Sequence, residues 1–151
     1  MPGGMGFGIQ VAGNAFRILQ KAAKDANKRV MATVKKAALR VQRGAKENVK
    51  TKLNTTGLST GTLGRSIGIV ARPAQLEADI GPSVIYGRIH EFGGVIKPVK
   101  AQALAFEIKG QLILAQSVTI PKRPYLQPAL DDAQPAIRRD FEGMVGVLLE
   151  E

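Results

Sequence analysis

The sequence predicts an α+β fold: a long N-terminal helix, an antiparallel sheet of about four strands with a short helical insert, and a C-terminal helix. Three observations carry this expectation. Apolar residues recur at spacings of three or four from about Asn14 to Lys52, with no Pro in the run. Between residues 63 and 120 the pattern changes to short apolar or alternating runs punctuated by Gly and Pro. A helical period then returns and lasts to the end of the chain.

The elements follow in order. The Gly-rich start, Met1-Pro-Gly-Gly-Met-Gly-Phe-Gly, belongs to a flexible arm over residues 1–13 that a neighbouring subunit is expected to hold down. Residues 14–52 form a helix whose stripe runs through Phe16, Leu19, Ala23, Ala26, Val30, Val34, Ala37, Val41, Ala45 and Val49. At ~1.5 Å per residue such a helix is about 55 Å long, more than one small domain needs to cover its core. Its narrow, Ala-rich stripe therefore leaves part of its length for a second subunit. A loop at Asn54–Gly61 leads into a strand over 63–72, a turn at Pro73-Ala74 and a strand over 75–80 ended by Gly81-Pro82. Residues 84–92 make one or two helical turns before Gly93-Gly94. A hairpin then pairs 103–108 with 112–120 around Lys109-Gly110, and Pro121 and Pro124 end the sheet. The last helix opens at Asp131 or Asp132, with Pro135 near its first turn. One domain spans 14–151: the basic helix, a sheet body over 57–126, and a C-terminal helix and tail over 127–151.

Charge divides the chain unevenly. Of 151 residues, 22 are Lys or Arg and 12 are Asp or Glu, a net +10. Residues 1–56 hold twelve basic side chains and only two acids, Asp25 and Glu47, which is the whole of that excess. The remainder is neutral. A basic element of this kind neutralises phosphates without reading sequence, or meets an acidic protein surface. The residues placed to do so are Lys21, Lys24, Lys28, Lys35, Lys36, Arg40, Arg43, Lys46 and Lys50. No aromatic residues interleave with them, so base stacking is disfavoured.

Catalytic chemistry finds little footing, and no cofactor is expected. The chain has no Cys and a single histidine, His90, which excludes disulfides, thiolate metal sites and any recognisable metal set. Ser66 with His90 and an Asp would be a triad only in name, because Gly-x-Ser-x-Gly is absent. The pairs Asp131-Asp132 and Glu150-Glu151 suit helix-start and tail charges, and the Gly-rich stretch 57–68 lacks the Gly-Lys-Ser/Thr ending of a phosphate loop. No signal peptide and no membrane span are expected.

Three segments, in this order, carry a resemblance: Thr60-Gly-Thr-Leu-Gly-Arg-Ser-Ile67, Tyr86-Gly-Arg-Ile-His-Glu-Phe-Gly-Gly94 and Ile120-Pro-Lys-Arg-Pro-Tyr-Leu-Gln-Pro-Ala-Leu130. They are similar to Thr-Gly-x-Leu-x-x-Ser-Ile, Tyr-Ala-x-x-x-Glu-Phe-Gly and Pro-x-Arg-Pro-Phe-Leu-x-Pro-Ala-Leu of the tail-completion and head–tail joining proteins of tailed bacteriophages. That group is also called virion-morphogenesis or minor tail proteins. Tyr125 stands where Phe is usual and Gly87 where Ala is usual. The resemblance implies a non-enzymatic virion protein of the neck or tail end, a tail terminator or tail-completion ring, hexameric, assembled in the host cytoplasm. It would contact portal-side, neck or tail-tube proteins and leave a DNA channel. The competing reading is a small non-specific DNA-binding protein using residues 14–52. Physically, Gly61 would relax the chain into the sheet, with Leu63 and Ser66 following. Tyr86, Ile89 and Phe92 would lay one side of a short helix on the sheet while Glu91 faces elsewhere, before the chain reverses at Gly93. Pro124 would stiffen the segment that positions Arg123, with Tyr125 and Leu126 inserted as anchors. Arg123 is expected to pair with Glu91.

Overall fold

Helix α1 runs from Gly13 to Asn48 and closes with a π-helical turn over Val49–Leu53. The computed structural model describes residues 13–53, 61–108 and 110–150. The predicted arm up to residue 12 and the loop over 54–60, with Thr60 of the first motif, lie outside the described residues, as does Lys109.

After the loop the chain forms α2 (Thr62–Ser66), β1 (Ile67–Arg72), β2 (Glu77–Pro82), α3 (Tyr86–Phe92), β3 (Gly94–Ile96), β4 (Leu104–Ile108), β5 (Gln111–Ala115), β6 (Val118–Ile120) and α4 (Leu126–Glu150). The fold is α+β, as expected. Its strands form three antiparallel ribbons, β1–β2, β3–β6 and β4–β5, in place of one sheet of about four strands. In the first, Ile69 stands opposite Ile80, and Ile67 opposite Pro82. The expected long strand over 112–120 is broken at residues 116–117. Its first half folds back on β4, and its second half pairs with β3, setting Val95 opposite Thr119.

Two further boundaries move. Thr62–Ser66 is a helical turn, so the strand predicted from residue 63 begins at Ile67. Gly61 supplies the backbone for this with φ +70°, a left-handed conformation open to Gly at no steric cost. The last helix opens at Leu126, several residues before Asp131, and Pro135 lies inside it. A buried carboxylate, described below, provides the start signal that the local sequence lacks.

The core gathers at one end of α1. Val41, Ala45 and Val49 pack with Leu63, Ile67, Tyr125, Ala129 and Ala133, all buried. Tyr125 and Ile67 are the largest fully buried side chains. Helices α1 and α4 are antiparallel: Asn48 Nδ2 donates to Tyr125 O at 3.0 Å, and Lys36 and Arg40 reach Asp140. Their closest approach is at Gly44, where an added Cβ would stand 3.2 Å from the Ala129 Cβ. Gln42 ties β1 to α1 by donating to Ile67 O at 2.7 Å.

The predicted stripe is covered only from its middle onward. Val41, Ala45 and Val49 are buried, Val30, Val34 and Ala37 half-buried, and Leu19 and Ala23 exposed. Among the described residues, little covers α1 between residues 17 and 25.

Candidate assembly site

Two regions hold the residues singled out in the sequence: the junction of α3 with the start of α4, and the open face of α1.

At the junction, Glu91 is the organising group. It is 5% exposed, the only charged or polar residue among the described residues buried to this degree. One carboxylate oxygen accepts the backbone N–H of Tyr125 at 2.8 Å and of Leu126 at 3.0 Å; the other accepts that of Gln127 at 3.0 Å. These amides belong to the first turn of α4, where helical N–H groups have no partner within the helix and the macrodipole favours negative charge. Glu91 thus caps α4 from 34 residues away in the chain.

This corrects the expected Arg123–Glu91 pair. Glu91 has committed both oxygens to backbone amides, and no ion pair links it to Arg123 among the described residues. Arg123 is exposed, and its contribution here is a backbone N–H donated to His90 O at 2.8 Å. The orientation of α3 is corrected with it. Turning Glu91 and Gly87 inward, one turn apart, turns Tyr86 and Phe92 outward, to 44% and 67% exposure. Phe92 instead carries the Arg88 guanidinium 5.9 Å from its ring centre.

Tyr125 inserts as predicted, and its hydroxyl donates to Gly87 O at 3.1 Å. Burial, and secondarily the Glu91 charge, push its pKa up to about 12. Leu126 is half-buried against the core. Gly93 adopts φ +73°, and a Cβ there would meet Lys122 N at 3.0 Å, so the reversal after α3 requires its backbone freedom. Ser66 is engaged locally, donating to Leu63 O at 2.8 Å, while Leu63 lies in the core. His90 packs edge-on to Tyr86, and its Nδ1 is buried without a hydrogen-bond partner. Burial, then the nearby Arg123 charge, lower its pKa below 6.5.

Beside this junction runs an apolar groove of about 730 Å³. Ile80 and Pro82 form one wall, Phe92 another, and Tyr125, Leu126 and Pro128 line it from α4, with Ile85 at 97% exposure on its rim.

Along α1 the predicted basic residues are all exposed. At about 100° per residue, Lys21, Lys24, Lys28, Lys35, Arg43 and Lys46 fall within an arc of about 100°, and Lys50 extends it into the terminal turn. The arc is exposed along its length, although Lys28 and Lys35 border a shallow cavity with Pro73 and Leu76 of the β1–β2 turn. Lys36 and Arg40 flank the arc and are spent within the chain: both bind Asp140, at 2.7 and 3.1 Å. The hydrogen bond from Lys36, with help from Arg40, holds the Asp140 carboxyl below its ordinary range. No local signal announces this acidic partner, which lies about 100 residues downstream. Arg17, exposed and within the same arc, was absent from the predicted set.

Among the described residues no group of His, Asp and Glu is placed to hold a metal ion, and no helix is long and apolar enough to cross a membrane. The family model for phage virion morphogenesis matches residues 26–140, three quarters of the chain. The chain belongs to the phage virion morphogenesis family. No curated protein and no solved structure shows a significant match to it. The matched span begins within α1 and ends in α4, so it takes in the Glu91 cap, the groove and most of the basic arc. A structural role in the virion follows from that membership.

Proposed function

We propose that copies of this chain form a ring, a hexamer, at the head–tail junction or tail end of a phage particle, joining tail tube to head and leaving a channel for DNA. Its partners are further copies of itself and the neck, portal-side or tail-tube proteins above and below it. The work is done by surface complementarity, since a closed ring needs one interface repeated about an axis.

The basic arc of α1 is the observation that supports this reading most. Its cations, which have no ion-pair partner among the described residues, span about 44 Å of helix from Lys21 to Lys50 and are all exposed. A surface of that length and sign suits the phosphates of DNA passing through a ring. The same arc favours the second reading, a monomeric non-specific DNA-binding protein.

Native mass spectrometry and negative-stain imaging of the full chain, with a salt-dependent DNA titration, separate the two. The ring reading expects closed oligomers, and DNA affinity that falls as salt rises. Replacing Lys24, Lys28 and Lys35 with Glu should flatten the log–log salt slope by about 3 and leave the rings intact. Tight DNA binding by a monomer that never closes into rings refutes it. Rings whose association is salt-sensitive but which ignore DNA would assign the arc to an acidic neighbouring protein.

A further inference from the structure

Among the described residues nothing fills the apolar groove between β2, α3 and the start of α4, and its lining exposes Ile85 and Phe92. One segment of the sequence has a matching pattern. Met5, Phe7, Ile9 and Val11 alternate with Gly6, Gly8, Gln10 and Ala12. In an extended chain, alternate residues project to opposite sides. Residues 5–11 would then present four large apolar side chains on one side and small or polar ones on the other.

The geometry decides whose arm can reach. The groove lies at the end of α1 where Asn48 bonds Tyr125, whereas residues 5–11 precede Gly13 at the opposite end. Thirty-five helical steps at ~1.5 Å separate Gly13 from Asn48 by about 52 Å. The eight steps from Met5 to Gly13 extend at most about 28 Å. An arm therefore falls short of its own groove by tens of ångströms, and only another copy can supply it.

The groove also offers a backbone. Among the described residues β2 pairs with β1 alone, and β2 forms a groove wall through Ile80, Gly81 and Pro82. No described strand pairs with its second edge, and an added strand there would bind in a mode in which main-chain bonds give affinity and alternate side chains fill pockets.

We propose that residues 5–11 of one copy bind as an extended strand in the groove of the neighbouring copy, with Phe7 and Ile9 filling the space between Pro82, Phe92 and Leu126. The inference rests on the reading that the chain assembles with itself, and it names the contact that links successive subunits. Such an exchange is head-to-tail, so repetition closes a ring if the rotation allows it.

The natural chain has no Cys, which permits a clean test. Isotopically light chain carrying Ile9→Cys is mixed with heavy chain carrying Ile85→Cys, and the mixture is oxidised gently and mapped by mass spectrometry. A light–heavy disulfide joining positions 9 and 85 is expected. Phe7→Asp in the light chain should lower its yield at least tenfold without changing the circular dichroism spectrum. A single chain carrying both Cys substitutions, held dilute, should form no internal bond between these positions. Oligomers that form without the 9–85 link, or an internal link formed as readily, overturn the proposal while leaving the ring reading in place. Chains that stay monomeric at every concentration overturn both.

Discussion

Replacing Glu91 should be the most damaging single change in this protein outside the apolar core. Glu91→Ala strips the acceptor from three amides, one of them on the fully buried Tyr125. A hydrogen bond to a charged group contributes ~1.5–3 kcal/mol, and a buried donor left without a partner costs ~1–3 kcal/mol. Leu126 and Gln127 are less covered, so water can replace the carboxylate there at a smaller loss. The sum is about 4 kcal/mol, in the range that marks a buried network broken. For a chain of this size that lowers Tm by about 8–16 °C. Glu91→Gln keeps one acceptor but aims an amide N–H₂ at backbone donors, and should cost about 2 kcal/mol. Arg123→Ala, at an exposed side chain with no carboxylate partner, should stay within about 0.5 kcal/mol. Urea denaturation followed by circular dichroism at the helical band is the assay, because the chain has no Trp. If Arg123→Ala is as costly as Glu91→Ala, and the double variant no worse than either, the ion pair expected from the sequence is real and the capping argument fails.

Gly87→Ala should cost about 1–3 kcal/mol, because the new Cβ would overlap the Pro82 ring, 2.7 Å from its Cβ, and stand 3.1 Å from Leu63 Cδ1. Pro82→Ala in the same chain should recover most of that loss, and a double-mutant cycle showing plain additivity would refute the steric coupling. Gly44→Leu should separate α1 from α4 and cost about 3 kcal/mol, whereas Gly44→Ala should be near neutral, its helix propensity offsetting a tight contact with Ala129; thermal melts of the pair check this. Since the pKa of His90 is lowered on folding, the unfolded chain binds its proton first, and the stability this residue contributes above pH 6.5 is lost as pH falls through the lowered value. Tm measured from pH 7.5 to 5 should therefore fall more steeply for the natural chain than for His90→Gln, and equal slopes would refute it.

The parts of the fold legible in the sequence were those set by local periodicity. The α1 stripe, the alternation Leu76–Ala78–Ile80 and the Gly-Pro punctuation located most elements to within a few residues. The errors share a cause, which is a long-range bond overriding a local signal. Helix α4 starts at Leu126 because Glu91 supplies the cap, and no Ser, Thr, Asp or Asn stands at that boundary to announce it. Apolar spacing predicts Tyr86, Ile89 and Phe92 as the inner side of α3, yet capping α4 requires Glu91 inside, and so Tyr86 and Phe92 are exposed and Ile89 only half-buried. The Asp140 clamp on Lys36 and Arg40 was invisible for the same reason. Within the candidate site, charge and proximity in the motifs suggest a Glu91–Arg123 pair, whereas Glu91 spends both oxygens on the amides of Tyr125, Leu126 and Gln127.

The crowding of the core at one end of α1 makes this subunit mechanically uneven. Around Val41–Val49 and Tyr125–Ala133 opening requires the whole protein to unfold, and amide exchange there should be slowest. Residues 17–25 of α1 carry no such cover among the described residues, so their backbone bonds open at the small cost typical of a solvated helix. Each subunit is thus a stiff hub bearing a compliant spoke. In the proposed ring, neighbouring hubs would keep a fixed spacing while the spokes bend to follow the diameter of whatever passes between them, so that bore and circumference would be set by different parts of the same chain.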